Sequence, residues 1–314
     1  MARIQIFKIL TKALDYTKNH KFLWFFGFFL TGGGLLNFSR LTDFRRLSGD
    51  LNQSWHFFSG HPVYLVFALI GIILGLFVIF ILIGISRSAV INATVRLERH
   101  DPQPIGFRSV LRHTRKYFFK VALISFFANL GIVIIFAWLF APILYLIRQG
   151  LDLRAFFLAL VGTSIFIPIL IIVSMVNIFA ANFVVAFDLH IREAIKSAFD
   201  IFVRFWDRAV SLLFILFVVY FLLFFFSADL VSLLGLLAFG LSVLIKSLSA
   251  MVVFGLFSGL VTAILIFIIL SLLVINAALN VFANIAWTLF FLEVVRASRL
   301  PEEPKAMPTI EPAV

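Results

Sequence analysis

The sequence predicts an all-α fold: a polytopic transmembrane helical bundle of six spans, with three amphipathic interfacial helices and both termini in the cytoplasm. Composition is the first observation behind this. Of 314 residues, 63% are hydrophobic and only 13% are charged, with a mean hydropathy of +1.13. Soluble domains carry roughly 25% charged and about 45–50% apolar residues. A soluble fold of this length could not cover the excess, so lipid is the solvent. The second observation is the uncharged runs, continuously apolar and without the period-2 alternation of a membrane barrel. The third is the Lys and Arg bias. Twenty of these residues fall in the N-terminal segment, the second-to-third and fourth-to-fifth connections and the tail, against six on the other side. By the positive-inside rule, the richer side is cytoplasmic.

The spans follow from length, since ~20 apolar residues rising ~1.5 Å each cross a ~30 Å hydrocarbon core. The uncharged runs Phe22–Ser39, Pro62–Ser86, Val121–Ile147, Ala155–Phe187 and Ala209–Ala228 each supply one. The first is interrupted by Thr31 and the run Gly32, Gly33 and Gly34, and it is expected to act as an uncleaved signal anchor. Beyond Asp229, the 16 residues Leu230–Ile245 are short for a span. Ala228–Lys246 is therefore read as an outer hairpin or re-entrant segment, followed by one long helix to about Arg296. The remainder, 300–314, contains Pro301, Pro304, Pro308 and Pro312 and reads as a flexible cytoplasmic tail.

Within one transmembrane domain, 1–299, three units recur at about 1–98, 102–190 and 191–299. Each opens with an amphipathic segment leading into a span: Ile4–Lys21, Ile105–Phe118 and Ile191–Trp206. Apolar residues at spacings of three and four, with basic residues opposite, describe a helix lying in the headgroup plane. A shift of 90 residues places Asn92 on Asn182, Glu98 on Asp188 and His100 on His190, and a shift of 105 carries Asp188 to Glu293. The repetition is parallel, each unit being interfacial helix, span, outer loop and long span ending at an acidic residue.

No span interior carries a charge on this reading, unlike the pumps and coupled transporters that place ionisable groups at depth. The polar groups left are amides: Asn276, Asn280 and Asn284 at four-residue spacing, with Asn92, Asn177 and Asn182 at related places in the other long spans. They form either a polar track facing the bundle axis or a set of interhelical hydrogen bonds. Gly71/Gly75 and Gly255/Gly259 have the spacing that lets helix backbones approach. The basic faces nominate Lys8, Lys12, Arg108, Arg112, Arg115 and Lys116 as contacts for anionic headgroups, each juxtamembrane cation being worth ~1 kcal/mol. That use of the +11 net charge leaves no basic module for nucleic acid. Glu98, Asp188 and Glu293 would form a carboxylate ring if the units converge. Nothing matches HExxH, GxSxG, GxxxxGK[ST] or GxGxxG, and there is no cysteine. No catalytic residue, cofactor or metal site is expected. Most of the five tryptophans, Trp24, Trp55, Trp138, Trp206 and Trp287, fall near expected interfaces, as belt residues do.

The stretch His20-Lys21-Phe22-Leu23-Trp24-Phe25-Phe26-Gly27, following a short amphipathic helix, resembles an uncharacterised family of bacterial six-span integral membrane proteins. That family is similar in turn to the membrane domain attached to some glycerophosphodiester phosphodiesterases. The chain lacks the soluble phosphodiesterase domain, so the resemblance implies a non-enzymatic module of the bacterial inner membrane. The expected role is a lipid-associated scaffold or complex subunit, with a second copy or another subunit as candidate partner. The alternative is a transporter or channel for a neutral or amphipathic solute.

Overall fold

The computed structural model describes residues 5–30, 62–100, 105–247 and 251–299. Among them every regular element is helical, and five helical stretches are long and apolar enough to cross a membrane. The helices are α1 (Ile6–Asn19), α2 (Leu23–Leu30), α3 (Pro62–Glu98), α4 (Phe107–Thr114), α5 (Phe118–Arg148), α6 (Asp152–Phe187), α7 (Ile191–Arg204), α8 (Trp206–Ser247) and α9 (Met251–Arg299). The first expected span begins as α2, and its remainder from residue 31 lies outside the described residues, as do Trp55 and the tail.

One expectation is overturned. Ala228–Lys246 is neither a hairpin nor a re-entrant segment, because α8 runs unbroken from Trp206 to Ser247. The stretch contains no proline, and a chain in hydrocarbon satisfies its backbone most simply by continuing the helix. Helix α9 is likewise continuous over 49 residues, and it passes Glu293 by six residues rather than ending there. At ~1.5 Å per residue, α3, α6 and α9 are ~55, ~54 and ~74 Å long, well beyond a hydrocarbon core of ~30 Å.

That extra length holds the packed interior. The buried residues concentrate at the C-terminal ends of α3 (Ala89 to Val95), α6 (Met175 to Ala186) and α9 (Ala277 to Val295), three helices that touch one another. Phe179 packs against Trp287, Phe290 and Phe291, with ring centroids 6.2, 6.3 and 6.2 Å away. Trp287 is thus a core residue and not a belt residue, whereas Trp138 and Trp206 are exposed. Towards the other end the helices present bare apolar surface, including Phe127, Leu153 and Phe267.

Each short helix docks on a long one: α1 on α9, α4 on α3 and α7 on α6. The pairing of α1 with α9 links the first helix to the last and closes a ring. The buried ridges keep one register: Ile9, Ala13 and Thr17 on α1, Val110 and Thr114 on α4, and Ala194, Ala198 and Phe202 on α7. The helices that follow do so as well, burying Leu23 and Phe26, Val121 and Ile124, and Ala209 and Leu212. At the first bend the Trp24 indole donates to the Thr17 carbonyl at 3.0 Å, satisfying an end-of-helix acceptor. At the opposite end of the bundle, Gly150 (φ +72°) closes α5. Its N–H bonds to the Ile147 carbonyl at 3.0 Å, and that of Leu151 to Leu146 at 3.1 Å, the paired bonds of a Schellman cap.

Close approach occurs at other glycines than the spacing suggested. Gly71 and Gly75 have open space where a Cβ would stand. A Cβ on Gly27 would lie 2.1 Å from the Ala277 carbonyl oxygen of α9, and one on Gly84 would lie 2.6 Å from Ala122 Cβ of α5. The surroundings of Gly255 and Gly259 fall outside the described residues.

Candidate functional site

The polar residues gather at the end of the bundle that carries α1, α4 and α7. The deepest group joins three helices. Arg87 of α3 donates from Nη1 to Ser125 Oγ of α5 at 2.7 Å and to Asn177 Oδ1 of α6 at 3.2 Å. Arg87 stands between Ser86 and Ser88 in the C-terminal third of α3, so the helix carries a cation into the bundle where the sequence reading placed it in a connecting segment. The 90-residue shift that superposes Asn92 on Asn182 also superposes Arg87 on Asn177. Each long helix offers a polar group at that level, and only the fold shows that two of them meet.

The other asparagines are divided among different environments. Asn276 is exposed, and Asn280 and Asn284 are half-buried. Asn280 Nδ2 donates to the Asn276 carbonyl at 2.9 Å, and Asn284 Nδ2 donates to the Asn280 carbonyl at 2.8 Å. Asn280 also accepts from the Tyr220 hydroxyl of α8 at 3.0 Å. Asn182 Nδ2 bonds to the Ile178 carbonyl at 2.9 Å. The Oδ1 atoms of Asn92 and Asn182 are buried without a hydrogen-bond partner, each a cost of roughly 1–3 kcal/mol unless something donates to it. Hydrogen bonding along single helices, together with the cross-links at Asn177 and Asn280, accounts for most of this set.

The acidic residues predicted to converge fall at two separate places. Glu98, 17% exposed, accepts from Lys12 at 2.6 Å and lies 3.9 Å from Arg296. It shares a cavity of about 140 Å³ with Lys8 and Glu293, between α1, α3 and α9. Asp188 pairs with Lys116 and, at 3.4 Å, with Lys120. It lies in the left-handed region at φ 56°, a conformation aspartate tolerates, and closes α6 there. Among the described residues no three metal-capable side chains come together.

These pairs shift proton affinities. Burial pulls the Lys12 ammonium down, but the hydrogen bond and charge of Glu98 outweigh it and hold Lys12 above the usual lysine value. The hydrogen bond from Lys116 holds the Asp188 carboxyl below the usual carboxylate range, and Lys116 is raised in return. Lys12 and Lys116, two of the six nominated headgroup contacts, thus pair with acids at the ends of long helices, Lys116 while still 63% exposed. Lys8, Arg108, Arg112 and Arg115 remain exposed.

Beside Asp188 a cavity of about 550 Å³ opens between the ends of α3 and α6, with His113 of α4 and Tyr117 at its side. Its polar lining comprises Asn92, Arg96, Arg99, His113, Tyr117 and Asp188. Arg96 Nη1 donates to Ser109 Oγ at 3.0 Å, and Arg99 Nη2 donates to the Ala186 carbonyl at 3.0 Å. The chain matches no family model, no curated protein and no solved structure.

Proposed function

We propose that this protein is a lipid-associated scaffold or subunit of a membrane complex in a bacterial inner membrane. In this reading both termini, and the polar end of the bundle, face the cytoplasm. The observation that carries it is the division of labour on α1, α4 and α7. Each uses one ridge to dock on a long helix and leaves apolar and basic side chains exposed beside it: Phe7 and Lys8 on α1, Phe107 and Arg108 on α4, and Ile195, Phe199 and Lys196 on α7. Apolar side chains flanked by cations suit the boundary between headgroup and acyl chain. The large bare surface of α5 and α6 supports the same reading, since it demands lipid or a partner subunit.

Native mass spectrometry of the protein released gently from its own membrane tests this. A defined stoichiometry with retained anionic lipid or a second subunit is expected. A lipid-free monomer carrying a discrete small solute would overturn it in favour of the transporter reading.

A further inference from the structure

We infer that the Arg87 guanidinium, held by Ser125 and Asn177, is a binding site for the phosphate of one anionic phospholipid that enters from the side of the bundle. This deepens the lipid-association reading and rests on it.

The first argument is a charge without an answer. Both hydrogen bonds made by Arg87 use Nη1, and both acceptors are neutral. Among the described residues no acid pairs with it. Along the helices that hold it, the acids on its side are Glu98, eleven residues on in α3, and Asp188, eleven residues beyond Asn177 at the end of α6. Each is ~16 Å away along its axis. Both are already paired, Glu98 with Lys12 and Asp188 with Lys116 and Lys120. A cation drawn out of water into a helical bundle is costly unless an anion meets it. The Nε and Nη2 nitrogens of Arg87 have no partner among the described residues, and neither is sealed within this half-buried side chain. They form the edge of the guanidinium that can donate to two oxygens of one phosphate.

The second argument is depth. Arg148, Asp152 and Arg154, around the turn at Gly150, mark the far boundary of the membrane. From Arg148 back to Ser125 is 23 residues of α5, ~35 Å, and from Asp152 to Asn177 is 25 residues of α6, ~38 Å. A tilt of ~20° shortens these to ~32 and ~35 Å. Both exceed a hydrocarbon core of ~30 Å by a few ångströms, the depth at which the near leaflet carries its glycerol and phosphate groups.

The third argument is the apolar surface beside the cation. Phe126, next to Ser125, is 48% exposed, and Phe80, two turns before Arg87 on α3, meets its ring edge-on at 5.7 Å. Towards the far end, Leu130 and Val133 of α5 and Ile172 of α6 are exposed as well. A lipid whose phosphate meets Arg87 has these side chains for its acyl chains to lie on. No nearby acid stands ready for an ammonium, which favours an anionic headgroup such as phosphatidylglycerol over a zwitterionic one.

The test uses the full chain in detergent doped with phosphatidylglycerol, phosphatidylcholine or inorganic phosphate, with bound species read by native mass spectrometry. Wild type is expected to keep one phosphatidylglycerol and to hold phosphatidylcholine about tenfold more weakly. Arg87→Leu/Asn177→Leu removes the cation together with its acceptor and should weaken the retained lipid by about tenfold or more. Arg87→Lys keeps the charge but loses the fork, and should fall between; it carries the test alone if the double variant does not fold. Arg108→Gln/Arg112→Gln/Arg115→Gln should shed loosely held lipid and keep the tight one. A tight lipid kept by both Arg87 variants but lost from that triple variant would overturn the site and leave lipid association standing. Wild type without a tight lipid overturns the site, and failure to float with phosphatidylglycerol vesicles overturns the underlying reading as well. Phosphatidylcholine held equally well overturns the choice of headgroup, and displacement by inorganic phosphate overturns the lipid as source in favour of a soluble anion.

Discussion

Replacing Gly27 by alanine adds one methyl group where α2 crosses α9. Its Cβ would stand 2.1 Å from the Ala277 carbonyl oxygen and 2.7 Å from Val281 Cγ2. Ordinary contact begins near 3.4 Å, so α2 must withdraw by about 1.3 Å. The nearer obstacle is backbone and cannot rotate away. Withdrawal also loosens Phe26, which stacks on Phe107 at 5.2 Å, and the Trp24 bond to Thr17. Overpacking of this kind costs about 1–3 kcal/mol, and a rigid obstacle places Gly27 at the upper end. Alanine returns up to ~1 kcal/mol of helix propensity, leaving a net loss of about 2 kcal/mol. Unfolding in mixed micelles by added SDS reads this directly. Gly84→Ala, which meets Ala122 Cβ at 2.6 Å, should lose less, and Gly71→Ala, with open space around it, should lose nothing. A Gly27→Ala protein as stable as wild type, or a Gly71→Ala protein equally damaged, would refute the packing argument.

Other perturbations test the polar contacts. Asn177→Leu should destabilise by about 1–3 kcal/mol, because the Arg87 guanidinium loses an acceptor inside the bundle. Adding Arg87→Leu should recover much of that loss in a double-mutant cycle, and simple additivity would argue against the coupling. Tyr220→Phe should cost about 0.6–2 kcal/mol in the same unfolding assay by removing the bond to Asn280 between α8 and α9. The Asp188 pair should make stability depend on pH at both extremes. A carboxyl whose folded-state pKa is depressed contributes above its ordinary value near 3.8, and loses that contribution as pH falls further. Lys116, raised when folded, contributes below its ordinary value near 10.5 and loses that contribution as pH rises further. Across neutral pH the pair is flat, and Asp188→Asn should abolish the acid-side dependence in melting curves recorded below pH 4.

How much was legible varied with the kind of interaction. Membrane residence and an all-helical fold follow from apolar content alone, since hydrocarbon admits few other ways of pairing a backbone. The short helices α1, α4 and α7 were readable because docking on one side and facing solvent on the other leaves a three-and-four spacing in the residues themselves. Continuity of α8 was missed because helix length was judged against membrane thickness, while the packing of α3, α6 and α9 extends well beyond that thickness. Arg87 was missed for a related reason: a charge at the end of an apolar run looks like a boundary. It is interior here because Ser125 and Asn177 arrive from two other helices to receive it.

The sequence by itself determined that the chain is helical and membrane-embedded, properties of local composition and period. The tertiary structure alone decided which glycines lie at crossings and which lysines pair with acids. Those outcomes depend on distances between segments from 38 to 250 residues apart, and no local pattern encodes such distances.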